Sequence, residues 1–179
     1  MSLRYVTTNE GKIEEALEYL DSGVTQLDYD YTEIQADDLE SVAAVGAREA
    51  FRVAGEPVIV DDAGLFIDGF SGFPGPYSSY VEDTVGVEDV WHLTEPKGNR
   101  GAAFRCVVAY AEPDADSVET FEGVVPGSIV APRGDGGFGY DPIFEHGDQT
   151  FAEMDTAAKN AVSHRGRALA KLADWLAER

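Results

Sequence analysis

Stretches of helical and of strand periodicity alternate along this chain, and that alternation constrains its fold more than any other feature. Leu3 to Thr7 predicts a strand. Lys12 to Asp21 follows as a helix with Ile13, Ala16, Leu17 and Leu20 on one face, and Thr8 or Asn9 is placed to cap it. Leu27, Tyr29 and Tyr31 alternate with Asp28 and Asp30, the pattern of a half-buried strand. Leu39 to Ala54 predicts a second helix, with Leu39, Val42, Ala43, Gly46, Ala50 and Val53 inward. Val58 to Val60 reads as a short buried strand ending in Asp61-Asp62, Gly69 to Pro76 as a Gly- and Pro-rich loop, and Val87 to Leu93 as a helix. Ala102 to Ala111 and Val118 to Val125 read as long strands paired through a turn near Pro113 to Ser117. Ser163 is placed to cap a last helix that turns Leu169, Leu172 and Leu176 inward. Interspersed helices and strands give an α/β or α+β class with a mixed sheet. No repeat or linker interrupts residues 1–179, a length that suits one domain.

With 44% hydrophobic residues the chain is globular, and no apolar run is long enough to span a bilayer. The first residues, Met-Ser-Leu-Arg-Tyr-Val, lack the apolar core of a signal peptide. The single cysteine, Cys106, lies in the apolar run Phe104 to Tyr110 and reads as a small buried residue. A reducing, cytoplasmic location is the expectation. The formal net charge is −21, from 34 acids against 13 bases, a field that repels nucleic acid. Only four residues are lysine (Lys12, Lys97, Lys159 and Lys171), and an acid-rich, lysine-poor surface fits adaptation to high salt. An anionic ligand then requires a local positive pocket, and Lys12 and Lys159 stand inside the chain's polar motifs.

Those motifs form four clusters. Thr7-Thr8-Asn9-Glu10-Gly11-Lys12 runs from a strand end into a helix start, where free N–H groups and the helix dipole favour a phosphate; a plain helix cap is the other reading. Asp61-Asp62-Ala63-Gly64 ends a strand, and its carboxylate pair suits Mg²⁺ or else makes a solvated turn. Glu33 follows the expected strand at Tyr31 and carries no signal alone. The fourth cluster is Arg133 to Asp141, with Gly134, Gly136, Gly137 and Gly139 around Phe138, followed by Lys159 and Ser163-His164-Arg165. A ring to stack on, donors for carbonyl oxygens and an acceptor for ring N–H groups make a kit for a nucleobase. His92 and His146 have no metal-ligand spacing.

In this order the clusters closely resemble the inosine triphosphate pyrophosphatase family, which hydrolyses non-standard purine nucleoside triphosphates. The resemblance rests on Thr7-Thr8-Asn9-Glu10-Gly11-Lys12, Asp61-Asp62-Ala63-Gly64-Leu65, Gly72-Phe73-Pro74-Gly75-Pro76-Tyr77-Ser78, Phe138-Gly139-Tyr140-Asp141-Pro142, and Lys159-Asn160 with Ser163-His164-Arg165-Gly166-Arg167, and covers nearly the whole chain. It implies an elongated α/β fold with a mixed, twisted sheet and two lobes with a central cleft, and a homodimer. It implies conversion of ITP, dITP and XTP to monophosphate and pyrophosphate with Mg²⁺. By the same resemblance, Thr7, Thr8, Asn9, Glu10, Gly11 and Lys12 hold the triphosphate. Asp62 is the catalytic carboxylate and, with Glu33, the metal site. Ala63 lies beside the substrate, Phe138 stacks on the base within Phe138-Gly139-Tyr140-Asp141, and Asp141, Lys159, His164 and Arg165 read its edge. A 6-oxopurine offers O6 as an acceptor where adenine offers an amino donor, so donors there favour hypoxanthine and xanthine. Two departures stand out. Ala63 occupies a position where many members carry Ser or Thr, and the basic residue often found in the second helix has only Arg48 nearby. The competing readings are a pyrophosphatase for modified pyrimidine nucleotides, a nucleotide sensor without turnover, and a purely structural protein.

Overall fold

The structure, a computed structural model, describes residues 3–20, 23–113 and 118–179. In chain order the elements are β1 (Leu3–Val6), α1 (Glu10–Tyr19), β2 (Val24–Leu27), α2 (Leu39–Ala54), β3 (Val58–Ile67), α3 (Ser78–Thr84) and α4 (Val87–Thr94). They continue with β4 (Gly101–Ala111), β5 (Glu119–Ile129), β6 (Phe144–His146), β7 (Gln149–Thr150), α5 (Thr156–Ala161) and α6 (His164–Ala177). The strands form one seven-stranded sheet in the order β2-β1-β3-β4-β5-β6-β7. β1 pairs in parallel with β2 and β3, while β6 pairs antiparallel with β5 and β7, so the sheet is mixed, as the alternating periodicities predict. Among the described residues no helix is long and apolar enough to cross a membrane.

The chain gathers into two compact units, one of Met1–Asp62, Cys106–Gly123 and Arg165–Arg179, the other of Ala63–Arg105 and Val124–His164. β3, β4 and β5 each contribute residues to both. In the first unit, α2 follows its sequence pattern closely. Asp38 caps it by accepting from the Ser41 N–H at 2.7 Å, and Leu39, Val42, Ala43, Gly46, Ala47 and Ala50 form the buried stripe. Gly55 ends it in the left-handed region at φ 65°, the favoured exit for an α-helix. Val53, expected inward, is exposed, as is Leu17 of α1. In the second unit, Leu65, Ile67, Val125, Ile129, Ile143, Phe144 and Phe151 build the core.

Several expected boundaries move, among them the end of β5, expected at Val125 and found at Ile129. α1 begins at Glu10, because Asn9 takes the capping role by accepting from the Gly11 N–H at 2.9 Å; its expected end at Asp21 lies outside the described residues. β2 stops at Leu27, and Tyr29 and Tyr31 are not in a strand. Their alternation has another cause: the Tyr29 hydroxyl donates to Glu49 at 2.9 Å, and the Tyr31 ring lies on α2 where a Cβ at Gly46 would sit 2.6 Å from it. β3 runs on to Ile67, so Asp61 and Asp62 are mid-strand residues and not a strand end. An acidic pair with Gly two residues on imitates turn chemistry, and here the sheet overrides it. The expected turn at 113–117 lies, from residue 114 on, outside the described residues.

Candidate active site

In the first unit the chemistry gathers around Asp61 of β3. Its side chain is 1% exposed, and Lys12 donates to both its oxygens, at 2.9 and 3.1 Å. Arg165, the second residue of α6, donates through Nε to Oδ2 at 3.0 Å and through Nη1 to Glu15 at 3.1 Å. Burial alone would raise the Asp61 pKa; the Arg165 and Lys12 charges and their hydrogen bonds outweigh it and hold the carboxyl well below the usual carboxylate range. Burial, then the Asp61 charge, pushes the Tyr5 phenol and the Cys106 thiol well up, so both stay neutral. Cys106 is therefore the inert buried residue its apolar setting predicts.

The turn that carries Lys12 leads from β1 into α1. Thr7 Oγ1 accepts from the Asn9 N–H at 3.1 Å, and Thr8, Glu10 and Gly11 are exposed. Half-buried Asp62 follows Asp61, and successive side chains of a strand point to opposite faces. The two carboxylates are thus not a matched metal pair: both Asp61 oxygens are engaged by cations. Glu33 is exposed in the segment after β2. The Tyr31 phenol is raised by burial, then by the charges of Asp61, Asp62, Glu33 and Asp30. Among the described residues no three His, Cys, Asp or Glu side chains cluster as a metal site.

In the second unit the glycine-rich segment closes on Asp141. Its Oδ2 accepts from the Phe138 N–H at 2.8 Å and from the Lys159 ammonium. Gly137 permits this: its φ is 71°, and a Cβ there would lie 2.0 Å from the same oxygen. Phe138 is 77% exposed, with Lys159 Nζ 4.5 Å from its ring centroid. Gly139 lies against Glu82, and buried Tyr140 donates its hydroxyl to the Ser78 carbonyl at 2.8 Å. The His164 ring stacks on Phe104 at 5.3 Å. Phe138, Asp141, Lys159 and His164 thus belong to the second unit, whereas Arg165 belongs to the first, on Asp61 and Glu15. Half-buried Ala63 opens the second unit. Beside it, two motifs meet: a Cβ on Gly64 would lie 2.2 Å from the Gly75 carbonyl, and Ser78 Oγ bridges Gly75 O and Leu65 N at 2.7 and 2.8 Å. The Gly72 to Ser78 motif therefore shapes the approach to β3.

The Ham1 family profile matches residues 3–175. The chain belongs to the Ham1 family. A dITP/XTP pyrophosphatase of Thermococcus kodakarensis is 47% identical over 184 residues, 99% of this chain and 98% of its own. One of Methanopyrus kandleri is 48% identical over 98% of this chain and 96% of its own. Among solved structures, the Ham1 protein of Staphylococcus aureus matches with a TM-score of 0.90 at 29% identity, over 99% of each chain. A HAM1 protein from Coxiella burnetii gives 0.90 at 32% identity over all of both chains. The Ham1 fold is thus the mixed α/β arrangement that the motifs imply. The structure gives three residues parts that their motifs and periodicity do not assign: Asp61 as the partner of two cations, Glu15 as a second carboxylate on Arg165, and Tyr31 as a ring packed on α2. Glu15 had a legible signal, standing three residues after Lys12 on the same helix face.

Proposed function

We propose that this chain is a nucleoside triphosphate pyrophosphatase that hydrolyses the non-standard purine nucleotides ITP, dITP and XTP to monophosphate and pyrophosphate. The observation that carries this reading is the 47% identity, over 99% of the chain, to a relative named dITP/XTP pyrophosphatase. In this reading the whole chain acts as one catalytic domain. Thr7, Thr8, Asn9, Glu10, Gly11 and Lys12 receive the triphosphate: the positive end of the α1 dipole favours an anion at this turn, and Lys12 offers charge. An ammonium has three N–H donors, and Asp61 takes two, leaving a third for a phosphate oxygen.

Asp62 accepts the proton of the water that attacks the α-phosphorus. A new P–O bond forms to that water, and the bond from the α-phosphorus to the bridging oxygen breaks, releasing pyrophosphate. Asp62 and Glu33 supply the hard oxygen ligands that Mg²⁺ takes, and two carboxylates suit an ion that retains several waters. When bound, Mg²⁺ supplies charge neutralisation for the phosphate oxygens. Lys12, held in place beforehand, neutralises phosphate charge in the ground and transition states alike. Phe138 offers the base an open ring face, and the Phe138-Gly139-Tyr140-Asp141 turn fixes its position. Lys159, His164 and Arg165 donate towards a 6-oxopurine, Asp141 orients Lys159, and Ala63 lies beside the substrate. The acid-rich surface supports a high-salt setting. A cytoplasmic homodimer completes the reading, and exposed Phe73, Tyr80 and Leu93 offer it apolar surface.

The test measures pyrophosphate and monophosphate release from ITP, dITP, XTP, GTP and ATP, with and without Mg²⁺, in molar KCl and in dilute buffer. Metal-dependent turnover of ITP, dITP and XTP with GTP and ATP spared is expected; a folded protein that turns over none of them would refute the reading. Asp62→Asn is expected to lower kcat by at least about a hundredfold, the scale of a lost general base, with unfolding little changed.

A further inference from the structure

We infer that Asp61 is a positioning residue whose buried carboxylate sets where Lys12 and Arg165 present their donors. This rests on the reading above of Lys12 as a phosphate contact and Arg165 as a base contact. Asp61 itself has no role in that reading, since both its oxygens are occupied by those two cations. Its own position is rigid. It lies in the middle of β3, which the sheet flanks with β1 on one side and β4 on the other, and its side chain is 1% exposed. The two cations reach it from the first turns of different helices, α1 and α6, and are still partly open, at 25% and 18%.

Stability alone is a weak reason for this cluster. A buried ion pair is often no better than apolar residues of the same volume, because desolvation offsets the attraction. The four charges also balance: Lys12 and Arg165 against Asp61 and Glu15 sum to zero. What the cluster does supply is order. A lysine on a free four-carbon stem loses much rotamer entropy when it grips a phosphate, and an anchored one has lost it already. In molar salt the Debye length falls to about 3 Å, so a solvated lysine attracts a phosphate poorly, and a fixed position at contact range counts for more.

The test uses Asp61→Asn and Asp61→Glu, with inorganic pyrophosphate as the probe, bound calorimetrically, alongside kcat and KM for ITP. Asp61→Asn is expected to weaken pyrophosphate binding about tenfold, the loss expected for a charge-assisted hydrogen bond, and to raise the ITP KM in parallel. kcat is expected to change less than about threefold, because an interaction lost equally from ground and transition states leaves it unmoved. Asp61→Glu keeps the buried charge, and with it the folded state, but moves the carboxylate by one methylene; it is expected to lose affinity as well, with a near-native unfolding temperature. On a Lys12→Ala background, Asp61→Asn is expected to add less than about a twofold loss, since coupled residues are not additive. Should the Asn variant fail to fold, the Glu variant decides alone. Native affinity in a folded Asp61 variant, additive losses with Lys12→Ala, or a fall in kcat at constant KM would each overturn the inference. Failure of the underlying reading is distinguishable: Lys12→Ala itself would then bind pyrophosphate as tightly as the native chain.

Discussion

Each unit buries an aspartate against a half-exposed lysine, yet the two pairs are built differently. Asp61 faces two cations, Lys12 and Arg165, delivered by two helices to a rigid strand. Asp141 faces one cation, Lys159, and one backbone donor, the Phe138 N–H of its own turn. The first is a charge network whose frame is the sheet. The second is a loop whose shape is held by the carboxylate itself, with Phe138 raised into solvent as the consequence. A polyanion requires fixed charge, whereas a flat base requires a fixed surface. The two constructions match the triphosphate role proposed for Lys12 and the nucleobase role proposed for Phe138.

The largest expected break between them comes from one substitution at two glycines. Gly137→Ala places a methyl 2.0 Å from Asp141 Oδ2 at a φ of 71°. Overpacking and the left-handed backbone together are expected to cost about 2–5 kcal/mol in denaturant unfolding. Gly11→Ala meets only the Asn9 side chain, at 3.2 Å, on an exposed helical turn. It is expected to be neutral or to stabilise by up to about 1 kcal/mol through helix propensity. Equal costs would mean that the second loop is no more tightly specified than the first.

Asp141→Asn comes next. Asn retains an acceptor for the Phe138 N–H but no charge for Lys159. Because Lys159 is 25% exposed and solvent partly compensates, a loss of about 1–3 kcal/mol is expected. A stability unchanged within error would show that the turn is set by its backbone bonds (Asp141 N to Phe138 O, Ala152 N to Asp141 O) and not by the carboxylate.

These two regions also mark how far the sequence could be read. α2 was legible to its ends because its apolar spacing is helical from Leu39 to Ala54, although Val53 turns outward. The glycine-rich turn was legible as a turn, because Gly136 and Gly137 sit where Ala152 and Asp141 approach too closely for a Cβ. The end of β2 and the run of β3 were not, since both depend on partners distant in the chain. Tyr31 owes its place to Gly46, and Asp61 stays in a strand because two cations from far along the chain neutralise it. The motifs named Lys12, Asp62 and Lys159; which carboxylate each lysine would meet was a tertiary fact that spacing does not encode.

Phe138→Ala sharpens the comparison at its smallest stability effect. The ring is 77% exposed, and Asp141 holds its backbone rather than its side chain. Removing it is therefore expected to change unfolding by less than about 0.5 kcal/mol. Its work, in the proposed function, is done against the base, where stacking contributes about 1–3 kcal/mol. The ITP KM should accordingly rise about tenfold to a hundredfold. Pyrophosphate carries no base, so its binding should stay native in the same variant. A matched loss for pyrophosphate would mean that Phe138 acts through the fold and not through a stacked base. A native KM would assign the base contact to another side chain.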